Sequence, residues 1–317
     1  MKSWIVSADF SRVGRINESS PLLTSLKMNK EKNYLIFSHN QAHAVEPLLD
    51  SIEIPRHLNP MAPSARIFRK CLRLIKGEFI RSSILKLFPN QCGLMIPHNL
   101  RHFYYKKILS ELPDDDFVFL VDSRDLIFQK SSESIARELA DSADLHFFDE
   151  GDVYFKNGKE QRIKDSPTTL YWLNLVSFND KDFVTPLVDE MILNGGCFAG
   201  RVKYMRKYNL AVCEVIEKSK YKYDEILDQV ATIIPAYSKT FREISCYHRN
   251  GKLVLNMCGI AKGKFQLVDG KCFMDGELIP IVHQYDRFGE YNELNGINIS
   301  KRPYQVYHSS NQEEDSR

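Results

Sequence analysis

Short runs of β-branched and aromatic residues alternate along this chain with segments whose apolar residues recur at helical spacing. The runs predict buried strands, and the helical segments carry an apolar stripe with a period of about 3.6 residues. Strands that alternate with helices indicate an α/β sandwich around a mostly parallel central sheet. The predicted strands are 4–8, 33–38, 117–121, 144–148, 253–256 and 279–284, and the predicted helices are 101–112, 132–140, 183–193, 202–217 and 224–234.

The charge and composition narrow the classes of protein to which the chain can belong. With 43 Lys+Arg against 41 Asp+Glu, the formal net charge is +2. Proteins held on nucleic acid by phosphate contacts usually carry a clear basic excess, so no nucleic acid is expected as a partner. A hydrophobic fraction of 43% argues against disorder. We expect one α/β domain over residues 1–307 and a disordered polar tail at 308–317.

Compartment signals favour a cytoplasmic protein. No apolar run approaches the roughly 18 residues that a membrane-spanning helix needs, and the first residues lack the apolar core of a secretory signal. The seven cysteines show neither CxxC pairs nor zinc-type spacing. We therefore expect reduced thiols and a cytoplasmic location.

The segment 66–88 departs from the balanced charge of the rest. It holds seven basic residues and one acidic residue, and Phe68, Leu72, Ile75 and Phe79 follow helical spacing. A basic amphipathic helix either lies on an anionic membrane surface or holds a phosphorylated ligand, and an ordinary helix with a solvated basic face has the same pattern. A peripheral membrane contact through 66–88, at the inner face of the membrane, is thus one of the open interpretations.

An acidic cluster follows the apolar run at 117–121 and comprises Asp122, Arg124 and Asp125. A continuous apolar run needs both faces covered, which predicts a central strand. Ligands of open α/β sheets bind outside the carboxyl ends of the strands. Two carboxylates beside a fixed cation suit a divalent metal with phosphate oxygens. The alternative is a structural ion pair between Arg124 and one of the acids.

An apolar strand that ends in a D-x-D-like cluster resembles the GT-A class of nucleotide-sugar-dependent glycosyltransferases. The resemblance covers about residues 95–290, with DSRD in place of D-x-D and Arg124 at the position of the second acid. It implies a GT-A-like single-domain α/β/α sandwich in which Asp122 and Asp125 hold Mn²⁺ or Mg²⁺. The metal would neutralise charge on the departing diphosphate.

Two further motifs extend this resemblance to the metal and the sugar. His283, in the sequence PIVHQYDR, resembles the third metal ligand of several GT-A families, and imidazole suits Mn²⁺ better than Mg²⁺. Asn194-Gly195-Gly196 resembles the N-[SAG]-G segment that lines the sugar pocket, where glycine lets the backbone approach a ligand closely. The alternatives are a satisfied core histidine and a plain turn after the predicted helix 183–193.

The remaining candidates concern the donor, the acceptor and the proton. Asp228-Gln229 resembles the segment where these enzymes often place an acceptor-binding acid, which implies a catalytic Asp228 and an acceptor-binding Gln229. Arg101, at a helix start, and Arg124 are candidates for the donor diphosphate. Glu150 could supply a base, and Trp172, in a loop-like stretch, could stack on an acceptor sugar. Each has an ordinary structural alternative, namely a solvated helix acid, polar loop residues or core packing. The candidate site residues are therefore Asp122, Asp125, His283, Arg101, Arg124, Asn194, Gly195, Gly196, Asp228, Glu150, Gln229 and Trp172.

These features predict a metal-dependent glycosyltransferase that moves a sugar from a nucleoside-diphosphate donor to a glycan or lipid-linked acceptor, as in cell-surface polysaccharide synthesis. A nucleotidyltransferase or phosphotransferase could use the same carboxylates, although a Gly-rich phosphate loop is missing from the sequence. A non-catalytic module that binds anionic lipid through 66–88 is the third hypothesis.

Overall fold

The computed structural model describes much of the chain, and its elements carry the labels used below. The described residues are 1–9, 21–38, 42–44, 67, 71, 74–75, 95–123, 125–151, 161–177, 181–223, 225–259, 264–285, 293–294 and 297–298. The described helices are α1 (Pro21–Met28), α2 (Pro97–Glu111), α3 (Ser132–Ala140), α4 (Pro167–Ser177), α5 (Lys181–Val184), α6 (Val202–Lys218), α7 (Asp228–Ala236) and α8 (Lys239–Arg242). The main strands are β1 (Ser3–Asp9), β2 (Tyr34–Ser38), β3 (Ala42–Ala44), β4 (Phe117–Asp122), β5 (Leu126–Phe128), β6 (Leu145–Asp149), β7 (Leu193–Arg201), β8 (Ser245–His248) and β9 (Val254–Asn256). Shorter strands follow as β10 (Gln266–Val268), β11 (Lys271–Met274), β12 (Glu277–Leu278), β13 (Ile281–His283), β14 (Glu293–Leu294) and β15 (Ile297–Asn298).

The largest sheet in the described part of the chain has seven strands in the order β3-β2-β1-β4-β7-β6-β8. Strands β1, β2, β4, β6 and β8 point in one direction, and β3 and β7 run against them. The protein is therefore a mixed α/β protein with a mostly parallel central sheet, which confirms the predicted fold class.

Strand β4 lies in the middle of this sheet because its apolar run is covered on both faces. Alternate side chains of a strand point to opposite faces. Val118 and Leu120 pack with helices α2, α6 and α7, whereas Phe117, Phe119 and Val121 pack with α1 and α3. Every one of these five side chains is buried. Because both faces of this strand are buried, charged side chains are accommodated only at its end.

A small second sheet brings another strand end to the tip of β4. It has the order β5-β13-β9, with β13 antiparallel to β5 and parallel to β9. Strand β5 begins only four residues after Asp122, so its partner β13 runs close to the carboxyl end of β4. The register pairs His283 with Leu126 and with Asn256. Separate short sheets are formed by β10-β11-β12 and by β14-β15.

All six predicted strands are confirmed within two residues at each end, and helices 132–140 and 202–217 are confirmed within one residue. The predicted helix 183–193 is wrong: helix α5 ends at Val184, a 3₁₀ turn spans Thr185–Leu187, and β7 begins at Leu193. Segment 224–234 becomes helical only at Asp228, and Asp224 lies outside the described residues. Strands β7 and β8 were not predicted, because glycine and polar residues dilute their apolar pattern.

The predicted basic segment 66–88 and the tail 308–317 lie outside the described residues, except for 67, 71 and 74–75. Ile67 and Leu74 are exposed. None of the helices in the described ranges combines the length and the apolar character that crossing a membrane requires.

Candidate active site

The candidate metal ligands meet where the carboxyl ends of β4 and β13 come together. Asp122 is the last residue of β4, and His283 is the last residue of β13. The backbone N–H of Gln284 donates to the carbonyl of Asp125 at 2.7 Å, which fixes the start of β5 beside the end of β13. Asp122, Asp125 and His283 therefore form one cluster that could hold a metal ion.

The spacing of the three side chains suits a shared cation. His283 Nε2 lies 3.5 Å from Asp122 Oδ2 and 3.4 Å from Asp125 Oδ1. In the octahedral coordination that Mg²⁺ and Mn²⁺ prefer, neighbouring ligand atoms about 2.1 Å from the metal lie about 3.0 Å apart, so side-chain shifts of about 0.5 Å would close the cluster around an ion. His283 Nε2 is buried and has no hydrogen-bond partner within the described residues. The cluster therefore fits a divalent metal that accepts one nitrogen and two oxygens.

The ring of His283 is oriented by an amide that is itself fixed. Asn256 Nδ2 donates to the carbonyl of Asp149 at 2.6 Å, so Asn256 Oδ1 faces His283. That oxygen can only accept, and His283 Nδ1 lies 2.7 Å from it, so Nδ1 carries a proton and donates. The opposite ring nitrogen, Nε2, then faces the carboxylates. Metal-bound histidines commonly have such an outer partner, which fixes the tautomer.

The charges of the cluster depend strongly on one another. Burial alone lowers the pKa of His283, but the facing carboxylates of Asp125 and Asp122 prevail and hold it well above its ordinary value. Burial raises the pKa of Asp122, whereas the Arg101 guanidinium lowers it, and the guanidinium prevails. In the metal-free protein a proton on Nε2 thus offsets part of the carboxylate charge. A divalent metal would compete with that proton.

Arg101, from the first turns of α2, is enclosed by acidic partners. Its two terminal nitrogens bond Asp122, the carbonyl of Gly195, and Asp228 Oδ2, the last at 2.7 Å. The Arg101 side chain is 8% exposed and that of Asp228 is 9% exposed. Arg101 therefore holds Asp122 and Asp228 in place, and a contact with the donor diphosphate stays a prediction. The solvated Asp228 considered as an alternative is excluded by its burial.

Gly196 allows the backbone of β7 to approach the metal cluster. A Cβ added at Gly196 would lie 2.8 Å from Asp122 Cγ and 2.8 Å from His283 Cε1, closer than side chains tolerate. A Cβ at Gly195 would meet Gln229 Cα at 3.4 Å and Cβ at 3.5 Å, which are ordinary contacts. Within this segment, glycine is therefore required at Gly196.

Asn194 connects this glycine segment to the metal cluster. Its Oδ1 accepts the N–H of Gly196 at 2.5 Å, and its Nδ2 donates to Asn256 Oδ1 and lies 2.8 Å from His283 Nδ1. Asn194, Gly195 and Gly196 lie within strand β7 and not in the turn that was considered as an alternative. Asn194 thus holds Asn256, the residue that orients His283, and its contact with a sugar stays a prediction.

Glu150 and Gln229 form a second polar group beside the first. Gln229 Nε2 donates to Glu150 Oε2 and, at 3.2 Å, to the carbonyl of Leu193. Gln284 Nε2 lies 3.3 Å from Glu150 Oε1. Gln284 is the residue after His283, and Gln229 is the residue after Asp228. The group around Glu150 therefore lies next to the metal cluster on one segment and next to the Arg101–Asp228 pair on the other. A carboxylate that is partly open to solvent therefore lies next to the candidate metal site.

Two predicted residues do not join these groups. Trp172 lies in helix α4 rather than in a loop, and its half-buried ring packs against the core on the side of α2, α6 and α7. Arg124 lies outside the described residues. Asn256 was not predicted as a site residue, although the predicted strand 253–256 ends there and the carboxyl ends of neighbouring parallel strands share one edge of a sheet.

Comparisons with known proteins give structural but not sequence likenesses. No family model matches the chain, and no curated protein matches it. One similar solved structure is a glycosyltransferase involved in the glycosylation of the major capsid of PBCV-1, at 12% identity and a TM-score of 0.40, covering 90% of this chain and 93% of that one. Another is the galactosyltransferase LgtC in complex with donor and acceptor sugar analogs, at 12% identity and a TM-score of 0.38, covering 88% and 86%. At such identities and TM-scores, a functional conclusion has to come from the geometry of this chain itself.

Proposed function

We propose that the protein is a metal-dependent glycosyltransferase that moves a sugar from a nucleoside-diphosphate donor to a glycan or lipid-linked acceptor. The observation that carries the proposal is the meeting of Asp122, Asp125 and His283 at the carboxyl end of the central strand β4. Carboxyl strand ends are where open α/β sheets bind their ligands. The D-x-D-like sequence that places two of these residues there is the feature that resembles GT-A enzymes.

The donor diphosphate would bind beside this cluster. Mn²⁺ or Mg²⁺ held by the three side chains would neutralise charge on the departing diphosphate, and the imidazole ligand favours Mn²⁺. Arg124, two residues after Asp122, would contribute a fixed positive charge to the phosphate oxygens. Arg101 would keep Asp122 oriented toward the metal and would add positive charge beneath the site.

The donor sugar would lie along the segment Asn194-Gly195-Gly196. Gly195 is only partly buried, and its missing side chain leaves the backbone open to a sugar hydroxyl. Because Asp228 is joined to this segment through Arg101 and the carbonyl of Gly195, donor and acceptor groups would be positioned together.

The acceptor hydroxyl would approach from the side of Glu150 and Gln229. Its oxygen would bond to the anomeric carbon while its proton passes to a carboxylate, for which Glu150 is the more open candidate. The bond from the anomeric carbon to the diphosphate oxygen would break, and the electron pair would leave on the diphosphate. Gln229 would orient the hydroxyl, and Asp228, bound to Arg101, would hold this region in place.

The acceptor class is proposed from sequence. The basic segment 66–88 would bring the enzyme to the inner face of a membrane, where lipid-linked glycans of cell-surface polysaccharide synthesis are built. This part of the proposal is independent of the chemistry of the site, so a different acceptor would leave the proposed reaction unaffected.

The first experiment measures thermal stability with UDP, GDP and other nucleoside diphosphates, each with and without Mn²⁺. We expect a rise in Tm for at least one nucleotide that requires Mn²⁺, and the loss of this rise in Asp122→Asn and in Asp125→Asn. Asp115→Asn, in the exposed turn before β4, is the matched control and should respond like the unaltered protein. The proposal is refuted if none of the nucleotides gives a Mn²⁺-dependent rise in Tm.

The second experiment identifies the reaction. Nucleotide sugars are screened for Mn²⁺-dependent release of nucleoside diphosphate, which a glycosyltransferase produces with water or with an acceptor. Parallel incubations of nucleoside triphosphates with sugar phosphates are assayed for pyrophosphate. Pyrophosphate without any release of nucleoside diphosphate would identify a nucleotidyltransferase instead.

A further inference from the structure

A cluster of nitrogen and sulfur ligands lies at the edge of the central sheet, away from the carboxylate cluster. Strands β6 and β8 run side by side in parallel, with His146 opposite Cys246 and Phe148 opposite His248. Because side chains alternate along a strand, His146, Cys246 and His248 point to the same face of the sheet. Strand β8 is the outermost strand on this side of the described sheet.

The three side chains are close enough to bind one ion. His146 Nδ1 lies 3.0 Å from His248 Nε2, and one ligand atom from each of the three residues lies within 4.8 Å of the others. In a tetrahedral site with metal–nitrogen bonds of about 2.0 Å and a metal–sulfur bond of about 2.3 Å, ligand atoms lie about 3.3–3.6 Å apart. Side-chain displacements of about 0.3 to 1.2 Å would bring the ligand atoms to these separations.

The tautomer of His146 leaves the correct nitrogen free to bind a metal. His146 Nε2 lies 3.1 Å from the carbonyl of Ala143, which can only accept, so Nε2 carries the proton. The lone pair of Nδ1 then points toward His248, whose Nε2 donates to it in the metal-free protein; an ion would replace that proton, as metal binding to histidine generally does. A backbone carbonyl on the second nitrogen is the usual outer partner of a metal-bound histidine.

The surroundings enclose the ligands only in part. The ring of Phe148 stacks on His248 at 5.3 Å. His146 is fully buried, whereas Cys246 and His248 are partly open, so an ion could enter from the sheet edge. Lys252 opposes a cation here, and its charge is part of the test.

We propose that His146 Nδ1, Cys246 Sγ and His248 Nε2 form a second metal site, for a divalent transition metal of the zinc class. Two imidazoles and a thiolate are ligands that Zn²⁺ prefers, whereas Mg²⁺ and Ca²⁺ require oxygen. A hydrogen bond between the two histidines alone would leave Cys246 without a role. The bound ion fastens the edge strand β8 to β6, and a fourth position is open to water. This site does not depend on the proposed glycosyl transfer.

The test uses Co²⁺ as a spectroscopic probe of the full-length, metal-free protein. A thiolate bound to Co²⁺ gives a charge-transfer absorption that the Asp122–Asp125–His283 cluster cannot give. We expect this band at one Co²⁺ per chain, its displacement by Zn²⁺, and its persistence in Asp122→Asn. The absence of a saturable thiolate band would overturn the proposal.

Variants then assign the ligands. Cys246→Ser should abolish the band, and His248→Ala should weaken Zn²⁺ binding by more than about 100-fold, the upper range for changing an outer partner. Cys258→Ser alters another partly exposed cysteine and should keep both the Co²⁺ absorption band and the Zn²⁺ affinity. Lys252→Ala should leave binding unchanged or tighter. Because Cys246→Ser removes no buried apolar group, circular dichroism should show a native fold, and a band that survives this substitution would refute the assignment.

Discussion

The substitution Gly196→Ala tests whether the backbone of β7 is part of the candidate metal site. It adds one methyl group next to Asp122 and His283 without changing any charge or ligand. The backbone at Gly196 does not require a positive φ, so alanine is conformationally acceptable. Any effect must therefore come from the contact of the methyl group with the two ligands.

The size of the effect follows from the distances. The added Cβ would lie 2.8 Å from Asp122 Cγ and from His283 Cε1, and closer still to Asp122 Oδ2. Ordinary contacts begin at 3.4 Å, so each ligand must move by at least about 0.6 Å. Neither can move easily, because Arg101 holds Asp122 and Asn256 holds His283. A functional site tolerates displacements of about 0.5 Å. We expect Mn²⁺ affinity to fall by about 10- to 100-fold, and overpacking to cost about 1–3 kcal/mol of stability.

The assay is Mn²⁺ binding by isothermal titration calorimetry, with the unfolding free energy measured in urea. Gly195→Ala is the matched control, since its Cβ would meet only ordinary contacts, and its Mn²⁺ affinity should change by less than about threefold. Equal Mn²⁺ affinity in Gly196→Ala and the unaltered protein would refute the reasoning. An equal loss in both variants would do the same, because the effect would then not depend on the approach to the ligands.

Three further outcomes are expected. Asn256→Ala should weaken Mn²⁺ binding by about 10- to 100-fold, because it frees the His283 ring, and should cost about 1–3 kcal/mol of stability, because it leaves buried hydrogen-bond partners unpaired; unchanged affinity in calorimetry would contradict this. Asp228→Asn should cost about 1.5–3 kcal/mol in urea unfolding, because buried Arg101 loses a charged partner, and a neutral result would mean that the pair contributes nothing. The metal-free protein should lose about 2–3 kcal/mol for each histidine of the pair on β6 and β8 between about pH 6.5 and pH 4. The folded-state pKa values of that pair lie below the unfolded value, so the unfolded chain binds more protons in this window and stability rises with pH. A double His→Gln variant of the pair should lose this part of the slope in urea titrations, whereas the part from buried His102, whose pKa is lowered to about 3, should remain.

The local pattern was sufficient for the elements with strong periodicity. The apolar run of β4 predicted a central strand because only burial on both faces accommodates it, and the stripe at 132–140 predicted α3 within its observed bounds. Strand β7 escaped prediction because its glycines carry no hydrophobic signal. Their reason lies in another strand: the side chain that would clash with a Cβ at Gly196 belongs to Asp122.

The residues of the candidate site also divide into those that a local pattern predicts and those that it does not. Asp122, Asp125 and His283 were identified from sequence because each stands at or just beyond the end of an apolar run, where charge is expected only if it faces a ligand or a partner. The roles of Arg101 and Asp228 could not be read in this way. They are separated by 127 residues, and they meet only because helices α2 and α7 pack on the same face of the sheet.

The sequence by itself thus determined which segments are strands and helices where periodicity is strong, the mostly parallel α/β class, and the three metal-ligand candidates. Only the tertiary structure decided that Asn256 orients His283, that Arg101 joins Asp122 to Asp228, and that His146, Cys246 and His248 share one sheet edge. The physical reason is that periodicity reflects which side chains of each segment are buried and which are exposed to solvent. Hydrogen bonds and ion pairs between distant segments depend on strand order and register, which no local pattern contains.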